Sequence, residues 1–245
     1  MDTPFEAYVT NLGKYNEGRL VGEFLKFPTT TEEVQALLKR IGIDGVRYEE
    51  IFITDYEVNI SGLYDCLGEY ESIDELNYLA SLISEMDQSD REKFEAVIDS
   101  GEYSGSVKEL INLTQNLDCF EFYAGVEDDE TLGRIYVEDM EAIDVPEHLL
   151  NYFDYEAYGR DIRINDDGHY ANGGYMFNNG SQFIEHYTGR DDIPDEYRVF
   201  SMPKLNIREQ MAAYTVSSFS FMELSMTSIC FRQVLSPLSL SGKKN

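Results

Sequence analysis

Acidic side chains occur in long runs with almost no basic residues, and this arrangement constrains the fold more than any other feature of the sequence. Between residues 48 and 90 there are twelve Asp or Glu and no Lys or Arg. Residues 109–159 hold fourteen more, with Arg134 as the single basic residue. Ionised carboxylates are rarely buried without a partner, so most of these side chains must lie on the surface of the folded chain. Stable surfaces usually interleave the two signs of charge, so a requirement other than stability is indicated here.

The excess of negative charge argues against two classes of partner. The 245 residues include 47 acidic and 19 basic side chains, which gives a formal net charge of -28 at pH 7. A protein that grips nucleic-acid phosphates needs a basic surface, and an anionic membrane would also repel this chain. The charge is regional: residues 1–161 hold 38 acidic and 11 basic side chains, whereas residues 162–245 hold nine and eight. We therefore expect no nucleic acid and no membrane among its partners.

The rest of the composition is that of a folded protein. Hydrophobic residues make up 42% of the chain and aromatic residues 13%, too much for a disordered acidic tail. Cys66, Cys119 and Cys230 are far apart and form no CxxC pair, so neither a disulfide framework nor a zinc knuckle is predicted. The N-terminus lacks the basic and apolar stretches of a signal peptide, and no run of 18 apolar residues occurs. These features predict a soluble, cytoplasmic protein.

Alternating apolar residues predict several short strands. They lie at residues 5–10 and 19–27, around Ile51, Ile53 and Tyr56, and at residues 119–124. A polar turn containing Gly13 and Gly18 is expected to join the first two strands. Beyond residue 162, four glycines predict turns and short strands or a loose hairpin: Gly168, Gly173, Gly174 and Gly180.

Capping boxes, in which Ser or Thr precedes Glu by three residues, predict four helix starts. The pairs are Thr30 with Glu33, Ser72 with Glu75, Ser89 with Glu92, and Ser106 with Glu109. The first helix is expected to end near Ile41, and residues 72–115 form a cluster of short helices. One apolar stripe in this cluster consists of Ile73, Leu76, Leu79, Ala80 and Ile83. Facing away from the stripe we expect Asp74, Glu75, Ser81 and Glu85.

Further helices are predicted in the second half of the chain. Residues 128–140 have the pattern of an acidic helix. Asp144, Pro146 and Glu147 predict the start of another, which buries Leu149, Leu150 and Phe153. Residues 204–214 are typical of a short helix, and residues 215–245, with eight Ser, favour a mobile or partner-buried tail.

This order of elements predicts an α+β protein of three small domains in series, each with a modest core and carboxylates outside. We expect an N-terminal α/β domain at residues 1–60, a central helical domain at 61–117, a C-terminal α/β domain at 118–165 and a partly flexible extension at 166–245.

The usual signatures of catalysis are missing from the sequence. It contains no HExxH, GxSxG, P-loop or GxGxxG motif, and of its three His, His148 has the pattern of a surface residue. The acidic stretches at 127–130 and 166–168 lack the alternating ligand spacing of a calcium loop. We therefore predict no catalytic residue, no metal ligand and no cofactor. A hydrolase that uses paired carboxylates or a metal ion remains an alternative, because any two acids can meet in a fold.

The electrostatics supply a more specific hypothesis. Duplex DNA carries one phosphate charge per about 1.7 Å of axis, so a charge of -27 over residues 1–161 equals that of about 46 Å of duplex. Carboxylates fixed on helices and strands could occupy positions like those of phosphates and dock in a DNA-binding groove. Two alternatives are an acidic surface kept for solubility and an acidic module for another basic protein.

Four segments carry a resemblance to a known family. They are residues 8–22 (YVTNLGKYNEGRLVG), 53–57 (ITDYE), 71–77 (ESIDELN) and 149–161 (LLNYFDYEAYGRD). In this order, over about residues 5–165, the chain resembles the ArdA antirestriction proteins of conjugative plasmids and transposons. The resemblance implies an elongated, curved homodimer that mimics bent DNA and contacts its second copy through its third domain. It also implies the partner: the methyltransferase core of type I restriction-modification enzymes, whose occupation protects incoming DNA.

The resemblance and the charge together give two sets of candidate residues. The DNA-mimic carboxylates are Glu49, Glu50, Asp55, Glu57, Asp65, Glu69, Glu71, Asp74, Glu75, Glu85, Asp87, Asp90, Glu109, Asp118, Glu121, Glu127, Asp128, Asp129, Glu130, Glu138 and Asp139. The antirestriction motif and dimer interface comprise Tyr152, Phe153, Asp154, Tyr155, Glu156, Tyr158, Arg160 and Asp161. Its aromatic residues suit an interface, and Arg160 is expected to neutralise Asp154 or Asp161; a helix packed only within its own domain is the alternative.

Two parts of the chain stand apart from the mimicry. Residues 8–22 have largely cancelling charges, so we assign this segment to the fold. Compact family members end soon after the position of Asp161, whereas here about 80 residues follow. The resemblance gives no role to this extension.

Overall fold

A computed structural model describes residues 3–202 and contains both helices and two three-stranded antiparallel sheets, which confirms the α+β class. Its first sheet has the order β2-β1-β3. The strands are β1 (Phe5–Asn11), β2 (Gly22–Phe27) and β3 (Ile51–Val58). Alternate residues of β1, Phe5, Ala7 and Val9, are buried on one face of this sheet. The three predicted N-terminal strands are thus confirmed.

The helix that covers this sheet is α2 (Thr31–Ile41). Thr30 and Glu33 form the predicted capping box, with both reciprocal hydrogen bonds present. The helix ends at Gly42, whose φ of 80° is left-handed and therefore favours glycine.

The connection between β1 and β2 is a helix rather than the predicted polar turn. Residues Leu12–Asn16 form α1, which Asn11 caps by accepting a hydrogen bond from the Lys14 backbone at 2.9 Å. An Asn at this position stabilises a helical turn, which explains why the segment does not remain a simple turn. Gly18, at φ 81°, then reverses the chain.

Three helices follow, α3 (Ile73–Glu85), α4 (Gln88–Asp99) and α5 (Val107–Thr114), and the predicted apolar stripe of α3 is buried. None of the three capping boxes predicted in this cluster closes, although the predicted helix starts at Ser72 and Ser106 are confirmed. Ser72 precedes α3 without a side-chain capping bond, and Asp87, not Ser89, caps α4. Ser106 caps α5 as predicted, although the Glu109 carboxylate bonds the backbone of Gly105 instead of closing the box.

The second sheet has the order β4-β6-β5. Its strands are β4 (Phe120–Ala124), β5 (His169–Ala171) and β6 (Gly174–Asn178). The predicted hairpin after residue 162 is therefore present as β5 and β6. Residues on both sides of position 165 contribute to this sheet, so the expected extension supplies two of its three strands.

Two helices pack beside the second sheet. They are α6 (Asp129–Arg134), continued by one wider turn at Ile135–Asp139, and α7 (Tyr155–Asn165). The predicted helix that buries Leu149, Leu150 and Phe153 is wrong: Glu147–Tyr152 form a 3-10 turn without buried residues. The chain turns extended at Phe153, and Asp154 then caps α7, so this short segment never completes a packed helix.

Beyond β6, residues 179–202 run back over the central helices. Asn112, on α5, and Asn116, two residues beyond its end, bind this strap through its backbone. The Asn112 amide pairs with both the N–H and the carbonyl of Tyr187 at 2.9 and 2.8 Å. Asn116 does the same at Ile184, at 2.8 and 2.9 Å. The predicted helix at 204–214 and the Ser-rich tail at 215–245 lie outside the described residues.

Candidate functional site

Most of the candidate mimic carboxylates are on the surface. Of the 21 residues, sixteen are exposed, four are half-buried and one is buried. The exposed ones are Glu49, Glu50, Asp55, Glu57, Asp65, Glu69, Glu85, Asp87, Asp90, Glu109, Asp118, Glu127, Asp128, Glu130, Glu138 and Asp139. The half-buried ones are Glu71, Asp74, Glu121 and Asp129.

Regular elements hold several exposed carboxylates in place. Asp55 and Glu57 are two residues apart on β3, so both point away from the face that packs on α2. Asp87 and Asp128 cap α4 and α6, where the helix dipole favours a negative charge. The backbone N–H of Thr131, at 2.7 Å, lowers the pKa of Asp128 below its usual range. Regular secondary structure therefore fixes the direction of these carboxylates.

Few basic side chains compensate this surface. Within the described residues, Glu130 and Glu138 are the only two of the sixteen exposed carboxylates with an ion pair, and both pair with Arg134. Other basic residues of the acidic region pair with carboxylates outside the candidate set. Those pairs include Arg19 and Arg47 with Glu17, Arg40 with Glu23, and Lys26 with Glu6.

Glu75 is a correction to the predicted surface. It was expected to face away from the apolar stripe of α3, but it is only 9% exposed. The Tyr187 hydroxyl donates to it at 2.9 Å and Arg190 pairs with it at 2.8 Å. Its carboxylate points inward because the strap supplies both partners. We therefore leave Glu75 out of the surface set.

Two half-buried candidates also have structural partners. Asp74 accepts hydrogen bonds from the backbone N–H groups of Val199 and Phe200, both at 2.7 Å. Asp129 pairs with Arg163 at 2.8 Å and accepts from the Tyr170 hydroxyl at 2.7 Å. The Arg163 guanidinium lowers the pKa of Asp129, and the Tyr170 hydrogen bond adds to the effect.

The aromatic residues of the candidate interface differ widely in exposure. Tyr152 is 86% exposed, whereas Tyr155 is buried beneath the Arg134 guanidinium, 4.3 Å from the ring centre. The Phe153 ring contacts both Tyr155 and Tyr158 edge-on. Tyr155 therefore packs within its own chain, and Tyr152 offers the larger free aromatic surface.

The polar residues of the candidate interface lie on or beside α7. Asp154 accepts a hydrogen bond from the Ala157 backbone at 3.0 Å, and Glu156, Arg160 and Asp161 are exposed. The expected pairing of Arg160 with Asp154 or Asp161 is wrong, since neither ion pair exists in the described chain. Arg160 acts instead on Asp129, whose pKa it helps to lower.

Backbone contact between α6 and α7 positions this region. A Cβ atom at Gly159 would clash with the Asp129 carbonyl, and one at Gly133 would clash with the Tyr155 carbonyl. Only glycine permits so close an approach of two helices. The contact between these two glycines was not predicted, although Gly133 lies inside the helix predicted at residues 128–140 and was a visible signal.

A cleft of about 930 Å³ lies between α6 with its continuation and the segment before α7. Carboxylates line it together with Arg134 and an apolar floor. Its carboxylates are Glu130, Glu138, Glu141, Asp144, Asp154 and Glu156, and its apolar residues include Val137, Ile143, Val145, Leu150 and Phe153. Leu150 and Phe153, which were expected in a helix core, thus face this cleft.

Two further observations concern residues 3–202. No group of three or more His, Cys, Asp or Glu in this range is arranged to hold a metal ion. None of the helices in this range has the length and apolarity needed to cross a membrane.

A search of curated proteins finds no match. Residues 7–177, more than two thirds of the chain, match the family described as "Antirestriction protein (ArdA)". This range includes all four segments of the resemblance and most of both sheets. The chain therefore belongs to the ArdA family of antirestriction proteins.

Proposed function

We propose that this protein protects incoming DNA by acting as a DNA mimic. In this proposal it occupies the DNA-binding groove in the methyltransferase core of a type I restriction-modification enzyme. The observation that carries the proposal is the set of sixteen exposed carboxylates, fourteen of which have no ion pair within residues 3–202.

The physical basis is the attraction between these fixed anions and the Lys and Arg of a DNA-binding groove. Binding releases the counterions of both surfaces, as it does when the same groove binds DNA. No single residue performs a chemical step, so we propose that the protein is not an enzyme. Each exposed contact contributes about 0–1 kcal/mol, and the effect is collective.

We further propose that the protein acts as a cytoplasmic homodimer. The surface for a second copy lies at and just before α7. It consists of Tyr152 and the neighbouring exposed residues Glu156, Arg160 and Asp161. An exposed Tyr supplies large, rigid contact area to an interface. A dimer would double the length of the acidic surface.

The proposal is tested by a cleavage assay with a type I enzyme and an unmodified plasmid. Protein added before the plasmid is expected to suppress cleavage in a dose-dependent way. The triple variant Glu49→Gln, Glu50→Gln, Glu57→Gln is expected to need up to about 100-fold more protein, since it lacks three exposed contacts.

A matched control changes the net charge equally at exposed carboxylates outside the candidate set. It is Glu32→Gln, Asp191→Asn, Glu196→Gln, and it is expected to inhibit like the unaltered chain. Full cleavage at every concentration of the unaltered protein would rule out the proposed function. Equal loss in the two triple variants would show that total charge, not this surface, is recognised.

A further inference from the structure

An aromatic groove of about 690 Å³ crosses the outer face of the first sheet, opposite α2. Its apolar lining includes Tyr8, Tyr15, Leu20, Phe24, Phe52 and Tyr70. Phe52 forms the floor, with its ring centre 5.0 Å from that of Tyr15 and 6.1 Å from that of Tyr70. Five of its eleven lining residues come from the segment 8–22, whose charges largely cancel.

Three residues of the groove are more exposed than folding requires. Tyr15 is 49% exposed, Leu20 64% and Tyr70 69%, whereas Phe52 between the two tyrosines is 7% exposed. Scattered apolar residues are common on surfaces, but a concave patch of several aromatic rings marks a binding site.

The charges of the groove favour a cationic occupant. Asp55 and Glu69 are part of its lining, and within the described chain no Lys or Arg is. Both hydrogen bonds to Asp55, from Tyr56 and Tyr64, go to its Oδ1, which leaves Oδ2 to accept from a ligand. The nearby basic residues are engaged elsewhere: Lys14 binds the Ile41 carbonyl at 2.8 Å and Arg19 pairs with Glu17.

We propose that this groove binds an arginine side chain of the partner protein. A planar guanidinium stacks on the Tyr15 or Tyr70 ring while its N–H groups donate to Asp55 or Glu69. Arginine fits better than lysine, because the compact, strongly hydrated ammonium of lysine cannot stack and bond in a fork at once.

The identity of this partner rests on the proposed function, since the arginine belongs to the enzyme whose DNA-binding groove the acidic surface enters. The groove adds a contact that duplex DNA does not offer to the enzyme. Aromatic stacking persists at salt concentrations that screen exposed charges, so this contact keeps its strength when the charge contacts weaken. This contact would let the protein compete with DNA at salt concentrations that weaken the charge contacts of both.

The test uses the full chain and a short Gly-Arg repeat peptide, with a peptide carrying citrulline in place of arginine as the neutral control. Binding is measured at about 0.3 M salt, where exposed charge pairs are largely screened. The arginine peptide is expected to bind and to shift the NMR signals of the Tyr15 and Tyr70 rings. The double variant Tyr15→Leu, Tyr70→Leu is expected to bind it about 5- to 30-fold more weakly.

Two control variants separate loss of the rings from damage to the fold. Tyr15→Phe with Tyr70→Phe keeps both rings and is expected to bind like the unaltered chain. Ile184→Ala, at an equally exposed apolar position outside the groove, is also expected to bind normally. Equal affinity in the Leu and Phe double variants, or equal binding of the citrulline peptide, would overturn the proposal.

This experiment is independent of the proposed function, because it contains no restriction enzyme. If the chain binds the arginine peptide in the groove but fails to protect plasmid DNA, the arginine site is supported and the mimicry is refuted. If the double Leu variant protects DNA with undiminished potency, the mimicry is supported and a role of the groove in binding the enzyme is refuted.

Discussion

Glu75 shows how a single carboxylate can differ from its neighbours on an acidic surface. It is buried between the Tyr187 hydroxyl and Arg190, whereas Glu85, on the same helix, is exposed. We predict that Glu75→Gln lowers the free energy of unfolding by about 1–3 kcal/mol, because it weakens two hydrogen bonds to a charged group. Urea denaturation measures this change.

The matched variant Glu85→Gln removes the same charge from the surface of α3. It is expected to change the free energy of unfolding by less than about 0.5 kcal/mol. If the two variants unfold at the same urea concentration, the contact between the strap and α3 does not stabilise the fold.

Asp129 gives a prediction about pH. Its pair with Arg163 lowers its pKa below the ordinary value of 3.8. The ion pair therefore stabilises the folded state fully above about pH 4, and this stabilisation is lost as the pH falls through the lowered pKa. The stability difference between the unaltered chain and Asp129→Asn should therefore be largest near neutral pH and shrink below about pH 4. Thermal unfolding of both proteins from pH 7 to pH 3 measures it, and a constant difference would contradict the assignment.

At the scale of elements, the contact between α6 and α7 depends on two glycines. A methyl group at Gly159 would collide with the backbone of α6, so Gly159→Ala must push the helices apart. We predict a loss of about 1–3 kcal/mol or more, typical of overpacking, together with altered NMR signals of Tyr155 and Tyr158. Chemical denaturation and a two-dimensional spectrum together measure it.

Gly189→Ala is the control for this substitution. A Cβ atom at Gly189 meets nothing within 4 Å, and its φ of 163° is extended backbone. Its stability should change by less than about 0.5 kcal/mol. Equal stability of the two alanine variants would mean that α6 and α7 are farther apart than described.

Local signals predicted these elements well where the partners are close in sequence. Thr30 and Glu33 form their capping box because both bonds lie within one turn. Ser72 and Glu75 have the same spacing, yet Glu75 binds residues more than 110 positions later. The Asn112 and Asn116 contacts likewise depend on a strap 68–75 residues away. Sequence spacing carries no information on such contacts.

The exposure of the candidate carboxylates was predictable because it depends on each residue's own charge and not on a distant partner. Unpaired carboxylates such as Glu57 and Asp65 must face water, so their exposure follows from charge alone. The aromatic groove was not predicted, because Tyr15 and Tyr70 are 55 residues apart and meet only through Phe52 of β3.

For the whole molecule, the net charge of -28 predicts that salt stabilises the fold. Repulsion among the carboxylates opposes the compact state, and raising the salt from about 0.01 to about 0.1 M shortens the screening length from about 30 to about 10 Å. The thermal midpoint should therefore rise over this range at pH 7. It should rise less near pH 4, where part of the carboxylates are protonated, and a midpoint that falls with salt at pH 7 would contradict the prediction.

The most direct test of mimicry is an equilibrium competition on the methyltransferase core of a type I enzyme. Labelled duplex is bound first, the unaltered protein is titrated in, and the titration is repeated at several salt concentrations. Complete displacement of the duplex is expected, with an affinity that falls steeply as salt rises. Duplex that stays bound at saturating protein, or an affinity independent of salt, would contradict it.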